Sequence, residues 1–406
     1  MDITKMKVAG WECRYYGMSH EELEQRRDRI RKAMEEKKVP VVLMVDMIRG
    51  NYFQWILGAG MSERPTEEIL IFPKEGNMTI CITSQCFTDE EHASYKKLNA
   101  TNSQDTRFGD AVNVPALYYG DIKKYMDDTG RIGILYPDSL RKTVKDYLEQ
   151  KIPGLEWVDI TKEMEAAKAL KSDGERKILK DMSAFHDRLF GSVAAMAIPG
   201  KLEGDLVKEL RYRSYQMGCG GEDVTRNAVV FFTSEPDKDG GIAEEIFCPG
   251  KQIREGDRLN LKVQCVAYDE FYGALGRCFV LGKASEETKK DNEALVKIQD
   301  FAAELLKPGT SLLEVSRKVQ KYRKELGIPE DASNYLYGIG CGAWEAPTLT
   351  EQAEMLLVAG MTVVIAPQLR REGREAMYCA DMYEITEKGA ERMNTFPRNV
   401  QEIFIQ

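Results

Sequence analysis

Residues 258–282 read RLNLKVQCVAYDEFYGALGRCFVLG and predict the central element of the fold. Apolar and aromatic residues dominate Arg258 to Tyr268 and Phe271 to Gly282, which predicts two β-strands. The polar pair Asp269-Glu270 between them predicts a tight turn. The stretch therefore predicts a long antiparallel hairpin.

The segments around this hairpin are predicted as helices and shorter strands. Helices are predicted at 202–217, 286–306 and 312–326, and strands at 228–233, 362–367 and 377–386. The last helix begins with a capping box, Ser311-x-x-Glu314, in which both side chains bond free N–H groups at the helix start. This order of helices and strands predicts an α+β domain with a largely antiparallel sheet.

The first part of the chain has a different pattern, in which strands alternate with helices. Strands are predicted at 39–46, 68–72, 78–83 and 131–136, and helices at 19–38 and 139–150. This alternation predicts an α/β domain. A helical segment from 161 to 197 follows, and the capping box Ser172-x-x-Glu175 restarts it. We therefore predict domains at 1–165 and 166–406.

Composition excludes several classes of protein. The chain has 406 residues, of which 43% are hydrophobic and 30% charged, as in ordinary globular proteins. It contains no run of about 18 apolar residues that could span a bilayer. The net charge is −9, and basic residues are interleaved with acidic ones, so neither nucleic acid nor a membrane is an expected partner.

The cysteine and histidine counts bear on compartment and chemistry. Nine cysteines occur, none in CxxC spacing, and the start of the chain lacks the pattern of a secretory signal. Reduced thiols and a cytoplasmic location are therefore expected. Only three histidines occur: His20, His92 and His186.

Four segments of the second half then resemble the creatinase, aminopeptidase P and prolidase family. They are Lys171-Ser172-x-x-Glu175, Gly256-Asp257 followed by Arg277, Tyr337-Gly-Ile-Gly followed by Trp344-Glu-Ala-Pro, and Gly360-Met361 followed by Ala366-Pro367. These are similar to the family's K-S-x-x-E, G-D with R-T, H-G-I-G with H-E-x-P, and G-M with E-P motifs. In the first half, Asn51-Tyr52-Phe53 and Glu63-Arg64-Pro65 resemble creatinase. The resemblance implies a pita-bread fold for the C-terminal domain and a homodimer.

The family's metallopeptidases hold two divalent metals with two Asp, one His and two Glu. The residues at those positions here are Lys262, Ala274, Tyr337, Ala366 and Ala380. Hard dications prefer carboxylate and imidazole ligands, and none of these side chains provides one. The resemblance therefore implies a relative without the metal pair, and we expect no metal and no other cofactor.

Creatinase itself resembles this family and works without metal, through a histidine and surrounding glutamates. No histidine stands at the corresponding place here; Glu244 or Glu245 lies there instead, within Asp237 to Pro249. A buried lysine has a lowered pKa and can act as a base, and a phenol beside a cation that lowers its pKa can transfer a proton. We therefore predict Lys262, Tyr337 and Glu245 as catalytic residues.

Three further residues are predicted to bind the substrate. Arg64 resembles the creatinase arginine that crosses the dimer interface to a substrate carboxylate, and a guanidinium binds a carboxylate with two hydrogen bonds. Trp344 is predicted to fill space or to stack on a flat ligand, and Tyr272 to line the site. Arg277 is expected to anchor the hairpin.

Two functional classes follow. In the first, the protein is a metal-independent creatinase-like enzyme that hydrolyses or eliminates at a C–N bond of a small carboxylated nitrogen compound. In the second, it is a non-catalytic protein that binds a ligand or partner on a degenerate Xaa-Pro peptidase scaffold. Convergent polar groups with shifted pKa values would favour the first class, and a site filled by apolar side chains the second.

Overall fold

A computed structural model gives the architecture of the chain. It describes residues 6–8, 11–13, 19–45, 52–57, 69–76, 78–82, 100–105, 113–218, 229–237, 249–267, 271–331, 333, 335–349 and 355–404. The chain divides into two compact units: an N-terminal unit, Met18–Lys168, and a C-terminal unit, Ala169–Gln406 together with Met1–Gly17. Each unit is described by itself.

The N-terminal unit is an α/β structure, as predicted. Its helices are α1 (His20–Lys37), α2 (Tyr52–Leu57), α3 (Asn113–Tyr125), α4 (Lys142–Lys151) and most of α5 (Thr161–Ala169). Its strands are β3 (Val41–Val45), β4 (Ile69–Pro73), β5 (Met78–Ile82), β6 (Ala100–Asp105), β7 (Arg131–Leu135) and β8 (Glu156–Asp159). The short strands β1 (Met6–Val8) and β2 (Trp11–Cys13) precede them in the chain and belong to the C-terminal unit. The six strands form one sheet in the order β6-β5-β4-β3-β7-β8.

The core of this unit explains why the predicted strands form. β3 is entirely buried and lies inside the sheet, where it pairs antiparallel with β4 and parallel with β7. A strand covered on both faces needs a continuous apolar run, which VVLMV provides. Ile122 of α3 and Val144 and Leu148 of α4 pack against these strands.

The C-terminal unit has the predicted α+β organisation. Its helices are α6 (Asp173–Gly191), α7 (Val193–Met196), α8 (Glu203–Gln216), α9 (Glu286–Leu305) and α10 (Leu312–Glu325). Its strands are β9 (Val229–Pro236), β10 (Asp257–Ala267), β11 (Phe271–Leu281), β12 (Leu336–Gly338), β13 (Glu345–Thr348), β14 (Thr362–Ile365), β15 (Gln368–Leu369), β16 (Met377–Tyr378), β17 (Asp381–Thr386), β18 (Gly389–Arg392) and β19 (Gln401–Ile403).

Two main sheets build this unit, and their pairing is largely antiparallel, as predicted. One sheet has the order β19-β11-β10-β9 and contains the hairpin β10–β11; the other has the order β13-β12-β14-β17-β18. Only β19 pairs parallel within them, with β11, among the strands that the structure describes. An isolated antiparallel β-bridge between Gly276 and Ala380 connects β11 to the residue that precedes β17 of the second sheet. The polar face of the hairpin therefore looks toward the second sheet.

The helices begin where the local signals predicted. Ser172 accepts a hydrogen bond from the Glu175 N–H at 3.1 Å, and the Glu175 carboxylate accepts one from the Ser172 N–H at 2.9 Å. Ser19 and Ser311 cap α1 and α10 in the same way, by accepting from the residue three positions on. No helix in the described ranges is long and apolar enough to cross a membrane.

Candidate functional site

The predicted site residue Lys262 lies on a strand whose two faces differ in chemistry. Every second residue of β10 is polar and buried: Arg258, Asn260, Lys262 and Gln264. The residues between them are apolar and buried: Leu259, Leu261, Val263 and Cys265. Successive side chains of a strand point to opposite faces. β10 therefore presents a buried polar face, which is costly unless its groups are hydrogen-bonded or serve a function.

The neighbouring strand β11 has very small residues beside this polar face. Cross-strand partners of Lys262 and Gln264 on β11 are Gly276 and Ala274, neither of which has a side chain beyond Cβ. A Cβ added at Gly276 would lie 2.9 Å from the Cβ of Ala380 and 3.4 Å from that of Lys262. The small residues of β11 thus allow the hairpin to approach Ala380 closely.

The Lys262 side chain is almost fully buried, with 9% of its surface exposed. Its Nζ lies 5.3 Å from the centroid of the Tyr337 ring, a distance at which an ammonium is attracted by the ring face. Burial lowers the pKa of Lys262 to about 8, although the negative charge of Asp331 opposes this shift. The structure thus brings Lys262 and Tyr337 together.

Tyr337 lies on β12 and is fully buried. Its hydroxyl oxygen accepts a hydrogen bond from Gln264 Nε2 at 2.8 Å. Burial raises the pKa of the Tyr337 phenol well above its usual range, although this hydrogen bond opposes the shift. The expectation that a neighbouring cation lowers this pKa is therefore wrong: the ammonium lies over the ring, and loss of solvent dominates. The phenol stays protonated at neutral pH.

Trp344 lies in the turn between β12 and β13, and 44% of its surface is exposed. Its ring centroid is 6.1 Å from that of Tyr337, with an angle of 46° between the rings. Trp344 therefore does not fill a core position. Its exposed face is available for stacking on a flat ligand, which is one of the two roles predicted for it.

A buried ion pair holds the turn that carries Trp344. Lys171 Nζ is bonded to Glu345 Oε1, and the Gly342 N–H donates to Glu345 Oε2 at 3.0 Å. A Cβ at Gly340 would overlap the Glu345 carboxylate and the Lys171 side chain. Sequence reasoning missed this pair, because its partners are 174 positions apart.

Tyr272 lies at the start of β11, and the structure connects it to the same turn. Its N–H donates to the carbonyl oxygen of Gly340 at 2.8 Å, and its side chain is half-buried. The three other predicted site residues, Arg64, Glu244 and Glu245, lie outside the described residues.

Gln264 belongs to the site and was also missed by sequence reasoning. Its Nε2 donates both to the Tyr337 hydroxyl and to the carbonyl oxygen of Ala343, at 2.8 and 3.3 Å. The signal that could have found it is the strict alternation of polar and apolar residues in RLNLKVQC. A strand that is polar on one face and yet lies inside a domain indicates a buried site.

His186 and the nearby cysteines have structural roles. His186 Nδ1 bonds the carbonyl oxygen of Met182 at 2.9 Å, and its Nε2 accepts from the Cys265 N–H at 3.1 Å. Burial lowers the pKa of His186 to about 4, so the ring is neutral and connects α6 to the hairpin. Burial raises the pKa of Cys278 and of Cys379 to about 12, which leaves these thiols unreactive at neutral pH.

Arg277 anchors the hairpin, as expected from the sequence. Its Nη2 is 2.7 Å from Asp381 Oδ1, and its Nη1 and Nε donate to the carbonyl oxygens of Ala380 and Pro397 at 2.9 and 2.7 Å. Gln299 Nε2 donates to Asp381 Oδ2 at 2.9 Å. Burial acts to lower the pKa of Arg277, but the charge and hydrogen bonds of Asp381, together with other nearby groups, raise this pKa overall.

The five residues that the resemblance assigns to the family's metal-ligand positions do not provide ligands for a pair of divalent ions. Ala274, Ala366 and Ala380 are buried methyl groups, Tyr337 is a protonated phenol, and Lys262 carries a positive charge at neutral pH. Divalent ions need anionic oxygen or imidazole nitrogen ligands. Elsewhere in the described chain, no group of three or more His, Cys, Asp and Glu could hold a metal ion.

A cavity of about 450 Å³ lies away from these residues. Its lining residues are Leu202, Pro236, Gly250, Lys251, Gln252, Arg254 and Asp257. The Lys251 ammonium bonds the Ser234 carbonyl oxygen, and Asp257 Oδ2 accepts from the Arg254 N–H at 2.7 Å. These polar groups are used within the protein, and none of the predicted site residues that the structure describes lines this cavity.

Comparison with known proteins places this arrangement in a class. Two largely antiparallel sheets around a polar face define a pita-bread domain that follows an α/β domain, and solved structures share this fold. A dipeptidase PepE from Mycobacterium ulcerans aligns with a TM-score of 0.77 at 20% identity over 96% of this chain and 100% of its own. An X-Pro aminopeptidase from Thermotoga maritima aligns with a TM-score of 0.74 at 15% identity, over 93% and 99% of the two chains.

The sequence comparisons then identify the family. The model of metallopeptidase family M24 matches residues 177–387, which is more than half of the chain. The chain belongs to this family. It is 23% identical over 235 residues to a probable dipeptidase PepE of Mycobacterium tuberculosis, covering 57% of this chain and 60% of that protein. It is 21% identical over 283 residues to an Xaa-Pro dipeptidase of Pyrococcus furiosus, covering 70% and 78%.

Proposed function

We propose that this protein is a metal-independent, creatinase-like enzyme that hydrolyses or eliminates at a C–N bond of a small carboxylated nitrogen compound. The observation that carries the proposal is the environment of Lys262. Its ammonium group is buried on the polar face of β10, lies over the Tyr337 ring, and has a pKa lowered to about 8. Perturbed titratable groups of this kind cluster at functional sites.

A lysine with this pKa can both hold an anion and move a proton. At pH 7 most molecules carry the ammonium, which attracts a carboxylate or a carbonyl oxygen, and about a tenth carry the neutral amine. In hydrolysis, the oxygen of water bonds to the carbon, the C–N bond breaks, and one water proton goes to the leaving nitrogen. The neutral amine can accept that proton from water, and the resulting ammonium can donate it to the nitrogen.

The residues around Lys262 support binding more than proton transfer. The Tyr337 phenol is protonated and accepts from Gln264, so it can donate its own hydrogen to a ligand oxygen. The exposed ring of Trp344 can cover a flat group. Glu245 as a second acid/base group, and Arg64 as a carboxylate clamp from the second subunit of a homodimer, remain predictions; light scattering tests the dimer.

Metal independence rests on side-chain chemistry. Three methyl groups, a phenol and an ammonium stand at the family's ligand positions, and the ammonium would repel a divalent cation. The proposed enzyme therefore shares its fold with M24 relatives that are named as dipeptidases, but its proposed chemistry follows from the side chains of this chain. Cleavage of Xaa-Pro dipeptides is not expected.

The test is turnover of a panel of N-acyl amino acids, guanidino acids and dipeptides, measured as amine release before and after dialysis against EDTA. We expect release from at least one compound, unchanged by EDTA or added Mn²⁺, abolished in Lys262→Met and retained in Lys297→Met. Lys297 is an exposed lysine of α9 and serves as the matched control. Activity that requires Mn²⁺ or Co²⁺, or two bound divalent ions per chain by elemental analysis, would overturn the proposal.

A second candidate is a non-catalytic binding protein on the same scaffold. The observation that favours it is the raised pKa of Tyr337, together with the buried methyl groups of Ala274 and Ala366, which leave few groups for acid/base work. This candidate predicts that compounds of the panel bind and that Lys262→Met weakens the binding, while no amine is released by the unmodified protein.

A further inference from the structure

Two side-chain oxygens on the polar face of β10 are buried without a hydrogen-bond partner. They are Oε1 of Gln264 and Oδ1 of Asn260, both on residues with no exposed surface. Within the described part of the chain, neither atom meets a donor. A buried acceptor that lacks a donor destabilises the folded protein, so such atoms call for a specific explanation.

The orientation of the Gln264 carboxamide follows from its surroundings. The nitrogen end faces two oxygens, the hydroxyl of Tyr337 and the carbonyl of Ala343. A carbonyl oxygen can only accept a hydrogen bond, so the atom that faces Ala343 must be the nitrogen. Oε1 therefore faces away from both, and its lone pairs remain unused by the described residues.

Lys262 lies between the two unsatisfied acceptors on the same face of β10. Asn260 and Gln264 lie two residues on either side of Lys262 and share its face of the strand. Residues two apart on one face are separated by about 7 Å. The Lys262 and Gln264 side chains both contact Tyr337, one over its ring and one at its hydroxyl. A small ligand that lies between the Lys262 and Gln264 side chains on this face would thus meet a cation and an acceptor together.

We propose that the site selects ligands in which a nitrogen bearing hydrogen lies beside a carboxylate or carbonyl oxygen: primary or secondary amides and ureides. Lys262 receives the ligand oxygen, and Gln264 Oε1 accepts the ligand N–H, with Asn260 Oδ1 as a second acceptor for longer ligands. This inference rests on the proposed function and narrows its substrate class. An Xaa-Pro bond has no N–H, so it leaves Gln264 Oε1 unsatisfied and is selected against.

A matched pair of ligands tests the proposal without any mutation. N-acetylglycine carries a carboxylate and a secondary amide; acetoxyacetate has the same shape, with an ester oxygen in place of the N–H. Isothermal titration calorimetry at pH 7 should give a dissociation constant at least about tenfold lower for N-acetylglycine. In the complex with acetoxyacetate, the ester oxygen would face Gln264 Oε1, and neither of these two acceptors has a hydrogen to donate. Equal affinities would overturn the proposal, and would indicate that solvent satisfies Gln264 Oε1 in the complex.

Variants then separate this inference from the proposed function. Gln264→Met removes the acceptor at similar length and should bring the affinity ratio of the two ligands close to one. Gln299→Met changes another buried glutamine, one whose Oε1 accepts from Arg398, and should leave the ratio unchanged. Lys262→Met should weaken both ligands equally.

Each failure has a distinct signature. If both ligands bind equally and Lys262→Met weakens both, the proposed function stands and the amide selectivity is wrong. If a ratio persists in Gln264→Met, another group recognises the N–H and the assignment to Gln264 is wrong. If neither ligand binds at millimolar concentration, the proposed ligand class fails, and the inference fails with it.

Discussion

Two buried polar clusters of the C-terminal unit share similar residue types and differ in how completely their groups are paired. The anchor cluster consists of Arg277, Asp381 and Gln299; the site cluster consists of Lys262, Gln264 and Tyr337. In the anchor cluster, Asp381 accepts from both Arg277 and Gln299, and the Gln299 oxygen accepts from Arg398. In the site cluster, the Gln264 oxygen has no donor among the described residues.

The cations of the two clusters have net pKa shifts of opposite sign. Burial lowers the pKa of both cations, but Asp381 lies close enough to Arg277 to raise its pKa overall. Asp331 opposes the shift of Lys262 only in part, and the pKa falls to about 8. A complete polar network stabilises the fold, whereas an incomplete one keeps its hydrogen-bonding capacity for a ligand.

The largest expected effect comes from breaking the anchor cluster. Arg277→Met leaves the buried Asp381 carboxylate without its main partner, and it should lower the free energy of unfolding by about 3–5 kcal/mol. Urea denaturation followed by circular dichroism measures this. Arg392, which is partly exposed and 3.4 Å from the same carboxylate, is the control, and Arg392→Met should cost less than about 1 kcal/mol. Equal costs would contradict the role given to Arg277.

Removing the cation of the site cluster, Lys262, is expected to raise the free energy of unfolding instead of lowering it. Because the pKa of Lys262 is about 8 folded and 10.5 in the unfolded chain, the unfolded state binds more protons between these pH values. The charged lysine therefore costs stability below pH 8, and this cost disappears as the pH rises toward 10.5. Lys262→Met should raise the free energy of unfolding at pH 7 by up to about 3 kcal/mol, with a smaller gain at pH 10.

Urea denaturation of Lys262→Met and of Lys297→Met at pH 7 and pH 10 provides the measurement. The exposed Lys297 should show no pH-dependent difference from the unmodified protein. A loss of stability in Lys262→Met at pH 7 would mean that the ammonium supports the fold, and the contrast with Arg277 would then fail.

A smaller difference is expected between the two buried glutamines. Gln299→Met removes the side-chain donor to the carbonyl oxygens of Ile365 and Cys379 and one of several donors to the Asp381 carboxylate, and should cost about 2 kcal/mol or more. Gln264→Met removes the donor to the Tyr337 hydroxyl and to the Ala343 carbonyl oxygen, but it also removes the unsatisfied Oε1, so the two effects partly cancel and stability should change by less than about 1 kcal/mol. Thermal unfolding of both variants measures this difference. Equal losses of stability in the two variants would show that the Gln264 oxygen is satisfied in solution.

The smallest effect on stability is expected at Trp344. Because 44% of its surface is exposed, Trp344→Ala should change the free energy of unfolding by less than about 1 kcal/mol. Stacking on a flat ligand contributes about 0.5–1.5 kcal/mol, so N-acetylglycine should bind roughly three- to tenfold more weakly. Phe404→Ala, at another exposed aromatic residue, is the control. A variant that unfolds at much lower temperature would assign Trp344 to packing.

Local sequence signals predicted most of the fold. The hairpin and the three serine caps depend on residues within about 25 positions of one another, so the chain segment itself contains the information. The short strands β12 and β13 were missed, because three or four residues carry too little pattern; β12 forms where β13 and β14 pair with it on either side. The resemblance, through motif order and spacing, indicated the pita-bread domain that the solved structures share.

The sequence by itself determined which chemical groups stand at the candidate site: an ammonium at Lys262, a phenol at Tyr337, and methyl groups at Ala274, Ala366 and Ala380. Only the tertiary structure decided the state of these groups, because a pKa and a satisfied hydrogen bond depend on neighbours from distant segments. Burial gave Lys262 the lowered pKa that was predicted and gave Tyr337 a raised one, against expectation. The open acceptor of Gln264 likewise exists only because β10, β12 and the Ala343 turn enclose its carboxamide together.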